Sequence, residues 1–200
     1  LHHFAESYTG DRDIVAFLLV PAWQAGPRAD LQYLLSHPQD EQESPLQYPM
    51  LSHWLYNTEH DRAVCHIRHR GLDRTDRRVK VVFVPCYLNG LDGIFDQSYY
   101  DLLVGMDLTI YPSYYEPWGY TPLESVRYGV PTITTTLAGF GLWAEEEQQT
   151  KPFAELKHQP VHIVPRDDRN VDEAIGRIAE LIGEQLALTP DEAKAQRRSA

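Results

Sequence analysis

Two carboxylates, Glu116 and Glu124, flank the heptapeptide PWGYTPL. That run reads as a proline-stiffened loop passing into a helix start. Gly119 removes the Cβ that would hold a ligand away from the backbone. Thr121-Pro122-Leu123-Glu124 has the form of a capping box with proline at the first helical position, so a helix is expected from about Pro122. The unpaired N–H groups of such a start, together with the helix dipole, suit a diphosphate. Glu116 then lies on the loop before these amides, and Glu124 lies one turn into the helix. One carboxylate is placed to face a sugar on one side of the diphosphate. The other is placed to accept hydrogen bonds from ribose hydroxyls on the opposite side. Spacing alone leaves a plainer role for Glu124 open, that of capping partner to Thr121. Glu116, between Tyr115 and Pro117, has no such structural excuse.

A loop of this kind needs a strand before it and a strand after its helix. The stretch 107–111 (DLTIY) supplies the first and 130–135 (VPTITT) the second, with Pro131 tolerable at a strand start. Three further apolar runs read as buried parallel strands: 14–20 before Pro21, 80–84 before Pro85, and 161–164 before Pro165. Between them lie helical patterns. Residues 98–105 (SYYDLLVG) read as a short helix, capped by Ser98 and stopped at Gly105. Residues 170–188 carry one apolar stripe, Val171, Ile175, Ile178, Leu181, Ile182 and Leu186, with Asp172 and Glu173 in the first turn. Thr189-Pro190-Asp191-Glu192 opens a last helix with a capping box. The segment 136–141, ending in Gly139 and Gly141, reads as a second glycine-bearing loop. Residues 1–13 read as a tail. Residues 24–70 read as an insertion. Its first half is irregular, with prolines, an acidic DEQE and a short helix over 30–36, and residues 50–70 are helical in one or two pieces. Alternating strands and helices give an α/β fold with a parallel sheet.

Composition narrows the function. The net charge of −11 disfavours binding to nucleic acid, and the 42% apolar content supports a folded core. No apolar run is long enough to span a bilayer, and no signal peptide is visible, so no membrane partner is expected. Cys65 and Cys86 form no CxxC pair and read as reduced thiols of a cytoplasmic protein. His60, His66 and His69 tempt a metal reading, but no HExxH or fitting carboxylate accompanies them. A solvated, mildly basic helix face is the expectation, and no metal is called for. The first residue is Leu1 and the last four are RRSA. An excised fragment is the expectation, since no closing element ends the chain.

SYYEPWGYTPLES followed by GVPTITTTLAGFG closely resembles the animal and fungal glycogen synthases, glycosyltransferase family 3. The resemblance is dense from about Val79 to Gly141, plausible in the AFLLVPA strand, and faint in residues 24–70 and after Glu146. It implies a two-domain GT-B enzyme, with residues 1–200 as the Rossmann-like, C-terminal, nucleotide-sugar-binding domain. It implies retaining transfer of glucose from UDP-glucose or ADP-glucose to the 4-OH of an α-1,4-glucan end. By position, Glu116 would sit at the donor glucose and stabilise an oxocarbenium-like transition state. Trp118, Gly119, Tyr120 and Thr121 would surround the diphosphate and glucose, and Glu124 would bind ribose. Tyr99, which spacing alone reads as a core-facing helix aromatic, would by the resemblance stack on the base. The donor is a substrate, and no metal or other cofactor is implied. Implied partners are the α-glucan, a missing N-terminal domain and, in the full-length enzyme, further copies of itself. The basic donor contacts of the N-terminal domain and the arginine-rich glucose 6-phosphate helix are absent from the pattern, as expected of a bacterial member or an excised domain. This chain alone is therefore expected to show little transferase activity. A non-catalytic nucleotide-sugar or glucan-binding module, or a retaining transferase with another acceptor, are the competing readings.

Overall fold

Apolar runs closed by proline become parallel strands in the computed structural model, which describes residues 1–40, 45–150 and 158–200. The chain divides into two compact units. One is Phe4–Tyr99 with His2, the other Tyr100–Ala200 with Leu1 and His3.

The first unit holds, in chain order, α1 (His2–Ser7), β1 (Ile14–Leu19), β2 (Gln24–Pro27), α2 (Ala29–Ser36), β3 (His53–Leu55), a 3-10 turn (Thr58–His60), α3 (Arg62–His69) and β4 (Val79–Val84). β1 and β4 pair in parallel, with Ile14 opposite Val79 and Leu19 opposite Val84. The alternating burial of β4, with Val79, Val81 and Phe83 inside, is the period of a strand packed on one face. The short helix expected over 30–36 is present as α2. The residues before β1 are not the plain tail expected, because His2–Ser7 is helical.

Two expectations fail in the segment 24–70. Residues 24–27 are not irregular, and 53–55 are not helical: β2 and β3 pair antiparallel, with Gln24 opposite Leu55 and Pro27 opposite His53. The spacing of Leu51, Trp54 and Leu55 satisfied a helical pattern, but cross-strand pairing overrode it. Arg28 is the physical reason. It is fully buried, and its Nη1 donates to the carbonyls of Tyr48 and Leu51 at 2.6 and 3.1 Å. Its guanidinium lies 4.5 Å from the Trp54 ring centroid, and its Nε donates to Asp30. A single cation thus collects carbonyls on the chain leading into β3, and its bonds to the Asp30 carboxylate offset the cost of burying it. The acidic DEQE falls largely in 41–44, outside the described residues.

The second unit takes up α4 (Tyr99–Leu103) after its first residue, then β5 (Thr109–Ile110), α5 (Tyr120–Arg127), β6 (Thr132–Thr135), α6 (Gly139–Gln148), β7 (Val161–Val164), α7 (Val171–Leu186) and α8 (Pro190–Arg198). β5, β6 and β7 form one parallel sheet with β6 central, so the expected parallel pairing exists as two pieces, one per unit. All four residues of β6 are buried, as a strand covered on both faces requires. Phe140, Ala144 and Val161 centre the core, packed by Leu123, Val126 and Ile163. β5 is shorter than the expected 107–111, although the Tyr111 N–H still donates to the Ile133 carbonyl at 2.8 Å. β6 starts after Pro131, which has no N–H to give.

Two further differences concern helices. The second glycine-bearing loop is the first turn of α6, a helix the sequence did not announce. In α7 the buried residues are Ala174, Leu181 and Ile182, while Val171 and Ile175 are 40% and 42% exposed. The apolar stripe is therefore rotated towards the small residue, where α7 can approach the sheet. The capping box of α8 forms as expected: the Glu192 N–H donates to the Thr189 hydroxyl at 3.3 Å, and the Thr189 N–H donates to the Glu192 carboxylate at 3.1 Å. Near its end, Arg197 donates to the carbonyls of Met106 and Val104, at 2.7 and 2.8 Å, which lie just past the end of α4.

Candidate functional site

In a parallel sheet every loop that leaves a strand's carboxyl end emerges on one edge, and ligand sites of open α/β folds form there. The second unit has three such loops, after β5, β6 and β7. They are tied together. The Arg166 N–H donates to the Thr136 hydroxyl at 2.9 Å, and the Tyr114 hydroxyl donates to the Asp168 carboxylate. Arg166 also stands 5.8 Å from the Tyr114 ring centroid. The hydrogen bond to Asp168, and the Asp168 charge after it, raise the pKa of Tyr114 above the ordinary tyrosine value, so the phenol stays a donor.

The loop after β5 carries Glu116, Trp118 and Gly119 and runs directly into Tyr120, Thr121 and Glu124 on α5. Backbone bonds fix it. The Thr135 hydroxyl donates to the Ser113 carbonyl at 2.7 Å. The Glu116 N–H donates to the Leu137 carbonyl at 3.1 Å, and the Glu116 carbonyl accepts from the Gly139 N–H at 3.1 Å. The Trp118 carbonyl accepts from the Phe140 N–H at 2.7 Å. The first amides of α6 are thus spent on the loop that bears Glu116, and the dipole of α6 holds those carbonyls. Gly139 makes this approach possible, because a Cβ there would overlap the Pro117 carbonyl oxygen. The Trp118 ring is anchored edge-on to buried Phe140, centroids 6.3 Å apart, and lies 6.2 Å from Trp143.

The helix start differs from the expectation. α5 begins at Tyr120, with Gly119 as N-cap at φ 99°, ψ 79°, and no side chain caps it. Thr121 and Glu124 therefore form no capping box. Tyr120, Thr121 and Pro122 are the first three helical residues, and Pro122 has no N–H. Gly119 is demanded by its positive φ, a left-handed conformation that disfavours any Cβ. A Cβ would also stand 3.3 Å from Pro122 Cγ and 3.4 Å from Glu116 Cγ. Glu116, Tyr120 and Thr121 are exposed and Glu124 is half-buried, so the carboxylates and the helix start face solvent where a ligand could reach them.

Glu124 is occupied otherwise than the spacing suggested. Its Oε1 accepts from the Tyr100 hydroxyl at 3.1 Å, and the Tyr100 ring stacks on Tyr128, centroids 5.2 Å apart and planes 18° apart. The carboxylate raises the pKa of Tyr100. Sequence reasoning passed over Tyr100 and Tyr128; the i, i+4 spacing of Glu124 and Tyr128 on one helix face was the available signal. It also missed Ser125, which is buried and shares a 2.8 Å hydrogen bond with the Tyr111 hydroxyl. Tyr99 belongs to the first unit, where its N–H donates to the Leu88 carbonyl at 2.9 Å.

His60, His66 and His69 are exposed, as a solvated face requires. Another group in the first unit, His53, Cys86 and Asp92, brings ligand-type atoms within 4.8 Å of one another. Hydrogen bonds account for that proximity. His53 bonds the Asp92 carbonyl through Nε2 at 2.9 Å and Ser52 Oγ through Nδ1 at 2.9 Å. The Asp92 carboxylate accepts from the amides of Ile94, Phe95 and Asp96, closing the turn after β4. Burial, and the Asp92 charge after it, push the Cys86 thiol up to about 11. Cys65 and Cys86 are both free thiols. Among the described residues no helix is long and apolar enough to cross a membrane.

Residues 39–199 match the family model described as glycogen synthase. A glycogen [starch] synthase isoform 1 of Saccharomyces cerevisiae is 36% identical over 137 residues, covering 68% of this chain and 19% of the yeast protein. The glycogen [starch] synthase of Neurospora crassa is 34% identical over 137 residues, 68% of this chain and 19% of its own. The liver enzyme of Rattus norvegicus is 34% identical over 136 residues, 67% of this chain and 18% of its own. The chain thus spans about a fifth of the length of the curated relatives it matches. These matches lead to one assignment: the chain belongs to the glycogen synthase family.

Proposed function

We propose that this chain is the C-terminal, nucleotide-sugar-binding part of a GT-B glycogen synthase, and that it serves retaining transfer of glucose to the 4-OH of an α-1,4-glucan end. The observation that carries the proposal is the uncapped start of α5 beside Glu116, in a chain of this family. The leaving group of the reaction is a nucleoside diphosphate. The amides of Tyr120 and Thr121, with the dipole of α5, stabilise the negative charge that develops on it as the glucose C1–O bond breaks. Glu116 stands on the loop before these amides. Its carboxylate faces the donor glucose and stabilises the positive charge that grows at C1. Trp118 and Gly119 shape the floor of that subsite, and Glu124 accepts from ribose. The donor is UDP-glucose or ADP-glucose, and the reaction proceeds without a metal. Residues 1–200 act as one domain, with 24–70 an insertion in it. An N-terminal domain completes the cleft and carries the acceptor, and the enzyme works in the cytoplasm as a homo-oligomer.

Glu116→Ala in the protein that carries this chain tests the central role. Transferase turnover, kcat, should fall about 100-fold to 1000-fold, the scale for losing a charge-stabilising group, with donor Kd changed less than about threefold. A loss confined to KM would contradict it. Unchanged donor binding with no dependence of any activity on Glu116 would mark a binding module instead. Parallel assays with UDP-glucose and ADP-glucose assign the donor.

A further inference from the structure

Glu124 is not held by the helix start it was expected to cap. It is held from outside α5, by Tyr100. Tyr100 lies flat against Tyr128, which sits one turn after Glu124, so its hydroxyl meets Glu124 Oε1. Tyr100, Glu124 and Tyr128 therefore form one device built from two elements of the second unit. A stacked ring fixes where the hydroxyl stands, and the hydroxyl selects one rotamer of a long, mobile carboxylate. The bond uses one oxygen of the two, and each carboxylate oxygen has lone pairs to spare.

We propose that Tyr100 is a positioning residue for the ribose of the nucleotide donor: stacked on Tyr128 and bonded to Glu124 Oε1, it presents the Glu124 carboxylate to a ribose hydroxyl. The inference rests on the reading of Glu124 as the ribose-facing carboxylate. Tyr100 itself touches no reacting atom. Its contribution is the preorganisation of Glu124, which a free glutamate on an exposed helix face would have to gain on binding.

A double-mutant cycle in the protein that carries this chain tests it, with donor Kd by calorimetry and steady-state kinetics as readouts. Tyr100→Phe keeps the ring and its stacking and removes only the hydroxyl. It should weaken binding of the natural nucleotide-glucose donor about fivefold and raise donor KM by a similar factor, with kcat within about twofold, as loss of uniform binding predicts. In an E124Q background Y100F should add less than about a 1.5-fold loss. The Y100F effect should likewise vanish for one of the two donor analogues lacking the ribose 2′-OH or 3′-OH. A fivefold loss that persists in E124Q and on both deoxy donors would overturn the inference, because Tyr100 would then act independently of Glu124. A silent Y100F beside a large E124Q loss would overturn it while leaving Glu124 as the ribose ligand. A silent E124Q would instead refute the ribose reading itself.

Discussion

The motif Thr-Pro-x-Glu occurs twice, at 121–124 and at 189–192, and the protein uses it in opposite ways. At α8 it does what the sequence says. Thr189 is the N-cap, Pro190 the first helical residue, and Glu192 closes the box. At α5 the same letters begin two residues past the N-cap, inside a helix already started at Tyr120. The cause is tertiary. The chain before α5 is pinned by Leu137, Gly139 and Phe140, and it turns into the helix through the left-handed Gly119. That turn sets the helix register, and Thr121 arrives too far in to cap it. The consequence is chemical. α8 satisfies its own first amides, whereas α5 makes no side-chain cap at its start. A helix that does not cap itself keeps its N-terminal donors for something else. A third start, α6, shows the intermediate case, since its first amides are taken by the carbonyls of Glu116 and Trp118. One helix thus seals itself, one grips the loop, and one has no side-chain cap at its start.

The largest test of this contrast is at the grip. Gly139→Ala places a methyl on the Pro117 carbonyl, a backbone atom that cannot swing aside. It should cost about 1–3 kcal/mol of stability, the range for an overpacked site, and shift the Glu116 loop. Thermal unfolding of the purified protein reads the first. Loss of donor binding well below the melting temperature reads the second. A variant as stable as the parent would mean that α6 does not hold the loop.

Next in size is the turn that sets the register. Gly119→Ala must hold φ near 99°, which costs about 1–2 kcal/mol. The same change should weaken donor binding more than stability alone predicts, because the easiest relief is to restart α5 as a self-capped helix. In such a variant Thr121 would become an N-cap and the open donors would be lost. Unchanged donor affinity in a destabilised Gly119→Ala protein would separate the turn from the site.

These elements also mark what the sequence could convey. Strands closed by proline, the α7 helix and the α8 cap were legible because their causes are local: burial period, a missing N–H, a capping pair. The β5–α5 connection was legible as an irregular turn into a helix because its glycine and prolines break regular structure locally. The start of α5, the helix at Gly139, the β2–β3 pairing and the buried Arg28 were not. Each depends on a partner distant in sequence, such as Leu137 for Glu116 or Tyr48 for Arg28. Tyr100 belongs with them. Its use is fixed by Glu124, on another element, and by a ring at Tyr128 that sequence alone reads as one more surface tyrosine.

The smallest test is the most direct, since it compares the two threonines themselves. Thr189→Ala removes a formed N-cap and should lower stability by about 1 kcal/mol. Thr121→Ala removes a hydroxyl that caps nothing, and stability should move by less than about 0.5 kcal/mol. Donor affinity should respond in the reverse order, falling for Thr121→Ala and holding for Thr189→Ala, which lies at α8 rather than at the start of α5. Urea denaturation midpoints and donor titrations on the two variants check both orders. Equal destabilisation would mean that α5 caps itself in solution as α8 does. The reversal, by contrast, would show one short motif closing a helix in one place and leaving it open to a ligand in another.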